Sequence, residues 1–160
     1  MSPSTREIRV CIDSRLEFIG LIQRTAEDIS RAAGFGRETV LNVGLAVREA
    51  AINAVRHGNR QEKDKRVEVV FRLNAEKLVV SVRDQGTGFD VAEIGDCLDP
   101  RNIFRSYGRG IFFIKSFVDK VAFTRLNGGG MEVVMEKRID RRRRSRPGAA
   151  NPGVHEGGGV

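Results

Sequence analysis

Tryptophan is missing from this 160-residue chain, and tyrosine occurs once, at Tyr107. A surface that grips single-stranded nucleic acid by stacking bases on a series of aromatic rings is therefore not expected. Cysteine is nearly as scarce. Cys11 and Cys97 stand far apart, neither with a histidine at metal-ligand spacing; this argues against a disulfide framework and for a reducing compartment. Between Pro3 and Pro147 the chain has a single proline, Pro100. No apolar run approaches the roughly 18 residues of a membrane-spanning helix. The start, MSPSTREIR, lacks the apolar core of a secretion signal. The expectation is a cytoplasmic protein that does not contact a membrane.

What is present describes an ordinary globular domain, with 40% hydrophobic and 31% charged residues. The length supports one folded unit. A net charge of +7 suggests nucleic acid until it is located: residues 138 to 160 hold six arginines against Asp140 and Glu156, so four of the seven net charges lie there. From residue 138 the composition turns to Arg, Gly, Pro and Ala without apolar periodicity. The expected organisation is a folded domain over residues 6–138 and a disordered tail over 139–160. A solvated tail accounts for Arg141 to Arg144, and no direct nucleic-acid binding is expected.

Alternation over residues 7–12 predicts a first strand. Asp13 or Ser14 then caps a helix buried through Leu16, Ile19, Ile22, Ala26, Ile29 and Ala33, and stopped by Gly34 and Gly36. A second helix is expected over about residues 38 to 57, with Val40, Gly44, Val47, Ala51, Ala54 and Val55 on its inner stripe. Two alternating runs, 67–74 and 77–83, form an antiparallel hairpin. Residues 91–98 suit a short helix and 101–107 a loop. A third helix starts at Gly108 and Gly110, with Phe112 and Phe113 read as core and Lys115 as surface. Strands over 118–126 and 131–137 close the domain through a turn at 127–130. The result is an α+β, two-layer sandwich with helices on one face of the sheet.

Three polar groupings stand out. Glu49, Asn53 and His57 recur every fourth residue, so they form one ridge of the second helix. An amide oxygen such as that of Asn53 suits the oxygen shell of Mg²⁺, and a carboxylate one turn earlier can accept a proton; a solvated helix face is the alternative. His57 reads as a helix-end hydrogen-bonding residue. DQGTGFD, residues 84–90, ends a strand with Asp84 and continues through Gly86 and Gly88. That pattern suits a carboxylate receiving a buried amine beside a backbone that a ligand approaches closely; a plain turn is the alternative. YGRGI, residues 107–111, places Gly108, Arg109 and Gly110 at a helix start, where free N–H groups bind anions. Arg101 and Arg105 in the preceding loop are further basic candidates for phosphate, or ordinary loop arginines.

Taken together, EAAINAVRHGN (49–59), DQGTGFD (84–90) and GRGIFFIKSFVD (108–119) resemble the N box and the two glycine boxes of GHKL ATPases, and most closely those of RsbW-type anti-sigma factor serine-protein kinases. The resemblance spans nearly the whole folded region. It implies a Bergerat ATP-binding fold with a mixed β-sheet, and ATP and Mg²⁺ as cofactors. It assigns Glu49 as catalytic base, Asn53 as the magnesium ligand and Asp84 as acceptor of the adenine amine. Gly86 and Gly88 shape the base pocket; Gly108, Arg109, Gly110 and Arg105 attend the phosphates, under a lid over about residues 99–107.

It further implies a homodimer that phosphorylates a Ser or Thr of an STAS-type antagonist and sequesters a sigma factor. The lid is short, which leaves open a nucleotide-binding sequestering module without transfer. A sensor histidine kinase is not expected, because the first strand starts at Glu7 with no helix pair ahead of it. A stand-alone ATPase lacks support too, since no transducer domain is expected after the ATP fold.

Overall fold

A computed structural model of the chain describes residues 4–88 and 108–140. Strand β1 (Arg6–Asp13) leads through a 3-10 turn (Leu16–Phe18) into α1 (Ile19–Ala32), α2 (Arg37–Asn53) and a π turn (Ala54–Gly58). The hairpin β2 (Arg66–Leu73) and β3 (Lys77–Arg83) follows, then α3 (Gly108–Phe117), β4 (Lys120–Arg125) and β5 (Met131–Arg138). No helix among the described residues is long and apolar enough to cross a membrane.

The strands lie in the order β1-β2-β3-β5-β4, and every neighbouring pair is antiparallel. This corrects the expectation of a mixed sheet. The segment carrying α3 does bring β4 into the same direction as β3, but β5 returns between them, so no parallel pair forms. The β2–β3 turn is built as read: Asn74 Oδ1 accepts the N–H groups of Glu76 (2.8 Å) and Lys77 (2.9 Å), an Asx turn.

Alternation along the strands sorts the two faces. Val69, Val82, Val133 and Phe123 share one row and Phe71, Val80, Met135 and Val121 the next, all packed into the core with the helices. The opposite face carries Glu68, Arg83 and Glu132 in register. There Arg83 Nε donates to Glu132 at 2.8 Å and Arg9 Nη1 to Glu68 at 2.6 Å. Such partly exposed pairs add little stability each; they identify the solvent face.

The α1 stripe is buried as its spacing predicts, at Ile19, Ile22, Ala26, Ile29 and Ala33. The helix begins later than expected: Asp13 extends β1, Ser14 is buried without capping, and the 3-10 turn intervenes. In α2 the buried stripe is wider than one face, adding Val43, Ala46 and Ala50, because α2 packs on α1 and α3 as well as the sheet. Phe112 and Phe113 are not core. They remain more than a third exposed, with Phe113 stacked on Phe117 at 5.9 Å. The expected helix at 91–98, the lid with Arg101 and Arg105, Tyr107, Asp90, Cys97 and the tail from 141 lie outside the described residues.

Candidate functional site

The site is assembled at the C-terminal end of α2. Glu49 and Asn53 stand one turn apart on its half-buried ridge. Against them comes the first turn of α3. A β-carbon built on Gly110 would lie 3.1 Å from Glu49 Oε2, 3.3 Å from Asn53 Nδ2 and 3.5 Å from Asn53 Oδ1. A side chain here would make Glu49 and Asn53 give way by a few tenths of an ångström. The N–H groups of that first turn have no partner within the helix, and they adjoin a carboxylate and an amide oxygen. Arg109, on the same turn, is exposed.

The second half forms where the π turn ends. Its wider winding is set by the Asn59 N–H donating to the Ala54 carbonyl at 2.7 Å, in place of the regular helix expected as far as residue 57. Such π segments recur at functional sites. Here it sets Gly58 against the Asp84 carboxylate: a methyl group on Gly58 would overlap that carboxylate, and one on Gly86 would run into the Gly58 carbonyl. Gly130, at φ +94°, lies over the Asp84 carbonyl in a conformation that favours glycine.

Asp84 is 7% exposed. Its Oδ1 accepts the N–H of Gly86 at 2.9 Å and of Met131 at 3.2 Å. Among the described residues no hydrogen bond ends on Oδ2. Burial pushes the carboxyl above the ordinary aspartate range, and the two N–H groups, with Lys65 nearby, only partly offset that. A half-buried His57 shifts the other way: burial and then Arg56 hold its imidazole below the usual value. The π turn Ala54–Gly58 thus separates the Glu49/Asn53 pair, before it, from the contact with Asp84 at its end.

The glycine loop is also strapped from β4. Arg125 Nη2 donates to the Thr87 carbonyl at 2.9 Å, and a β-carbon on Gly88, at φ +75°, would lie 3.2 Å from Arg125 Nε. Of the residues singled out in the sequence, Glu49, Asn53 and Gly110 meet at one end, and Asp84, Gly86 and Gly88 line the other. Gly108 opens α3, and Arg105 lies outside the described residues.

Gly58, Gly130, the Met131 N–H and Arg125 escaped the sequence reading. The one signal available was glycine itself at 58, which reads equally well as a helix stop. Gly86→Ala tests the packing of this junction. Because the obstacle is backbone, the substitution is expected to cost about 3 kcal/mol, measured as a lower urea midpoint at an unchanged m-value.

A model of the histidine kinase-like ATPase domain matches residues 12–137. The serine-protein kinase RsbW of Listeria monocytogenes serovar 1/2a is 31% identical over 140 residues, covering 84% of this chain and 88% of its own. The chain belongs to the histidine kinase-like ATPase family, in its RsbW-type serine-protein kinase branch. Serine-protein kinase RsbW of Bacillus cereus AH187 is similar at 25% identity over 141 residues, with 84% of this chain and 86% of that protein covered. A solved structure of the RsbU and RsbW domains of Rv1364c from Mycobacterium tuberculosis is similar in fold over part of its length, with a TM-score of 0.56 at 13% identity. The match takes in 83% of this chain and 32% of that longer one.

Proposed function

We propose that the chain is a cytoplasmic anti-sigma factor kinase that binds Mg-ATP and phosphorylates a serine or threonine on an STAS-type antagonist. The observation that carries this reading is the approach of Gly110 to Glu49 and Asn53, with Asp84 buried at the far end of the same helix terminus. That spacing offers an amine acceptor at one end and phosphate donors, an amide oxygen and a base at the other.

In this reading Asp84 Oδ2 takes the adenine amine, Gly86 and Gly88 shape the base pocket, and Gly108, Arg109 and Gly110 hold phosphate, with Arg105 joining from the preceding loop. The hydroxyl oxygen of the acceptor attacks the γ-phosphorus and its proton passes to Glu49. The bond to the β–γ bridging oxygen breaks, and ADP leaves. Asn53 beside Glu49 fits a hard cation that keeps phosphate and water in its other positions. Mg²⁺, when bound with the nucleotide, neutralises phosphate charge. Arg109 and the N–H groups of the first α3 turn address the same oxygens.

Unphosphorylated antagonist competes with a sigma factor for the kinase, and phosphorylation frees the antagonist and leaves sigma sequestered. The relatives' shared name supports the kinase reading, and a homodimer is part of it. The unit that performs this is residues 6–138.

The test is transfer of labelled γ-phosphate to a purified STAS-type acceptor. ATP binding without labelling of any acceptor identifies a sequestering module instead, and free phosphate released without an acceptor identifies an ATPase. Calorimetric titration of Asn53→Ala with ATP checks the cation ligand. The gain in affinity that wild type shows on adding Mg²⁺ is expected to shrink by at least about 10-fold, the scale at which even groups behind a metal ligand act. An undiminished Mg²⁺ effect would move the ligand elsewhere.

A further inference from the structure

Asn59 is fully buried at the end of the π turn, and both ends of its side chain are engaged. Oδ1 accepts the N–H of Gln85 at 2.8 Å, and Nδ2 donates to the Arg66 carbonyl at 2.9 Å. The Gln85 side chain completes the arrangement, its Oε1 accepting the Arg66 N–H at 2.7 Å. Arg66 is the first residue of β2, and Gln85 directly follows Asp84. The Asp84–Gln85 peptide, the start of β2 and the end of α2 are thus locked through one carboxamide and one neighbouring amide.

We propose that Asn59, assisted by Gln85, is a positioning residue that sets base specificity by fixing the rotation of the Asp84–Gln85 peptide. The inference rests on the reading of Asp84 as acceptor of the adenine amine. The Gly86 N–H bonds Asp84 Oδ1 from two residues on, so turning that peptide moves one of the two donors that hold Oδ1 and swings Oδ2 out of line. The Met131 N–H, at the start of β5, where the Met131 carbonyl accepts the Asp84 N–H at 3.0 Å, anchors the same oxygen from the sheet. Asn59 holds the Gly86 side of this pair through the Gln85 N–H. Its own backbone is held by the Ala54 carbonyl, so the π turn and the acid move as one piece.

The chemistry predicts a signature beyond stability. A carboxylate held in line accepts the 6-amino group of ATP and repels the 6-carbonyl of inosine triphosphate. Loss of alignment weakens ATP binding and relaxes the repulsion together, so the two affinities converge.

The experiment measures Kd for ATP and for inosine triphosphate with full-length wild type, Asn59→Ala, Gln85→Ala and Asn59→Ala in an Asp84→Asn background. Wild type is expected to prefer ATP by about 10-fold or more, the worth of one charge-assisted hydrogen bond. In Asn59→Ala the preference falls to within about 2-fold, and Gln85→Ala lies between. In the Asp84→Asn background Asn59→Ala adds nothing to the loss. Gln85 is exposed, so its variant folds and decides the matter should Asn59→Ala prove unfolded by circular dichroism. An undiminished preference in folded Gln85→Ala or Asn59→Ala overturns the positioning role, because a purely structural clamp would lower stability and leave base preference alone. Equal affinities in wild type would instead overturn the Asp84 reading beneath it.

Discussion

Asp84→Asn is expected to lose ATP binding by about 100-fold or more while folding at least as well as wild type. The two effects share one cause. Asp84 is buried, and burial raises its carboxyl despite the N–H groups of Gly86 and Met131. Charge on this carboxyl is therefore less favourable in the folded protein than in the unfolded chain. An asparagine keeps the Oδ1 acceptor for both N–H groups and carries no charge, so the apo protein is relieved.

Toward a bound adenine amine the same change is damaging. With Oδ1 held by two donors, the amide presents Nδ2 where Oδ2 stood, and N–H faces the amine's N–H. A charge-assisted hydrogen bond worth about 1.5–3 kcal/mol is lost and a donor–donor contact replaces it. Calorimetry for ATP and a thermal melt of the apo protein check the pair. Unchanged affinity in the folded variant would remove the acceptor role.

The sign of the pH dependence follows. Between the ordinary aspartate value and the raised folded one, the native state holds a proton that the unfolded chain has released. As pH falls through that window this group adds stability, and the contribution disappears as pH rises above it. Nucleotide affinity moves the opposite way, because protonation removes the charged acceptor. Acidification is thus expected to stabilise the protein through Asp84 while weakening ATP binding, and Asp84→Asn to abolish both slopes.

Glu49→Gln is expected to lower the single-turnover rate of phosphotransfer by about 10² to 10⁴-fold, the usual contribution of a positioned general base, with ATP affinity within about 3-fold of wild type. Glutamine preserves shape beside Gly110 but cannot take the acceptor's proton. Glu49 Oε2 lies where a Gly110 β-carbon would be 3.1 Å away, beside the first turn of α3, whose free N–H groups would favour an anion. A variant that binds ATP and transfers at a near wild-type rate would assign the base to another group. A variant that loses ATP binding as well would make Glu49 a binding residue. Measuring binding and transfer on the same preparation distinguishes these results.

The residue pattern by itself determined which segments bury and which carry the polar groups. Spacings of three and four in α1, alternation in β2, β3 and β5, and the Asn74 turn are local, and neighbours along the chain decide them. The ridge of Glu49 and Asn53 was equally legible, since residues four apart share a helix face whatever lies around them. The tertiary structure alone decided what those groups meet. Asp84 is held by Met131, 47 residues on, and Gly110 approaches Glu49 across 61 positions. Gly58 reads as a helix stop in one dimension and is a point of backbone contact in three. The insertion of β5 between β3 and β4, the π turn and the Asn59 bridge have the same origin. Each depends on which distant backbone arrives within hydrogen-bonding or van der Waals reach, and local spacing carries no record of that.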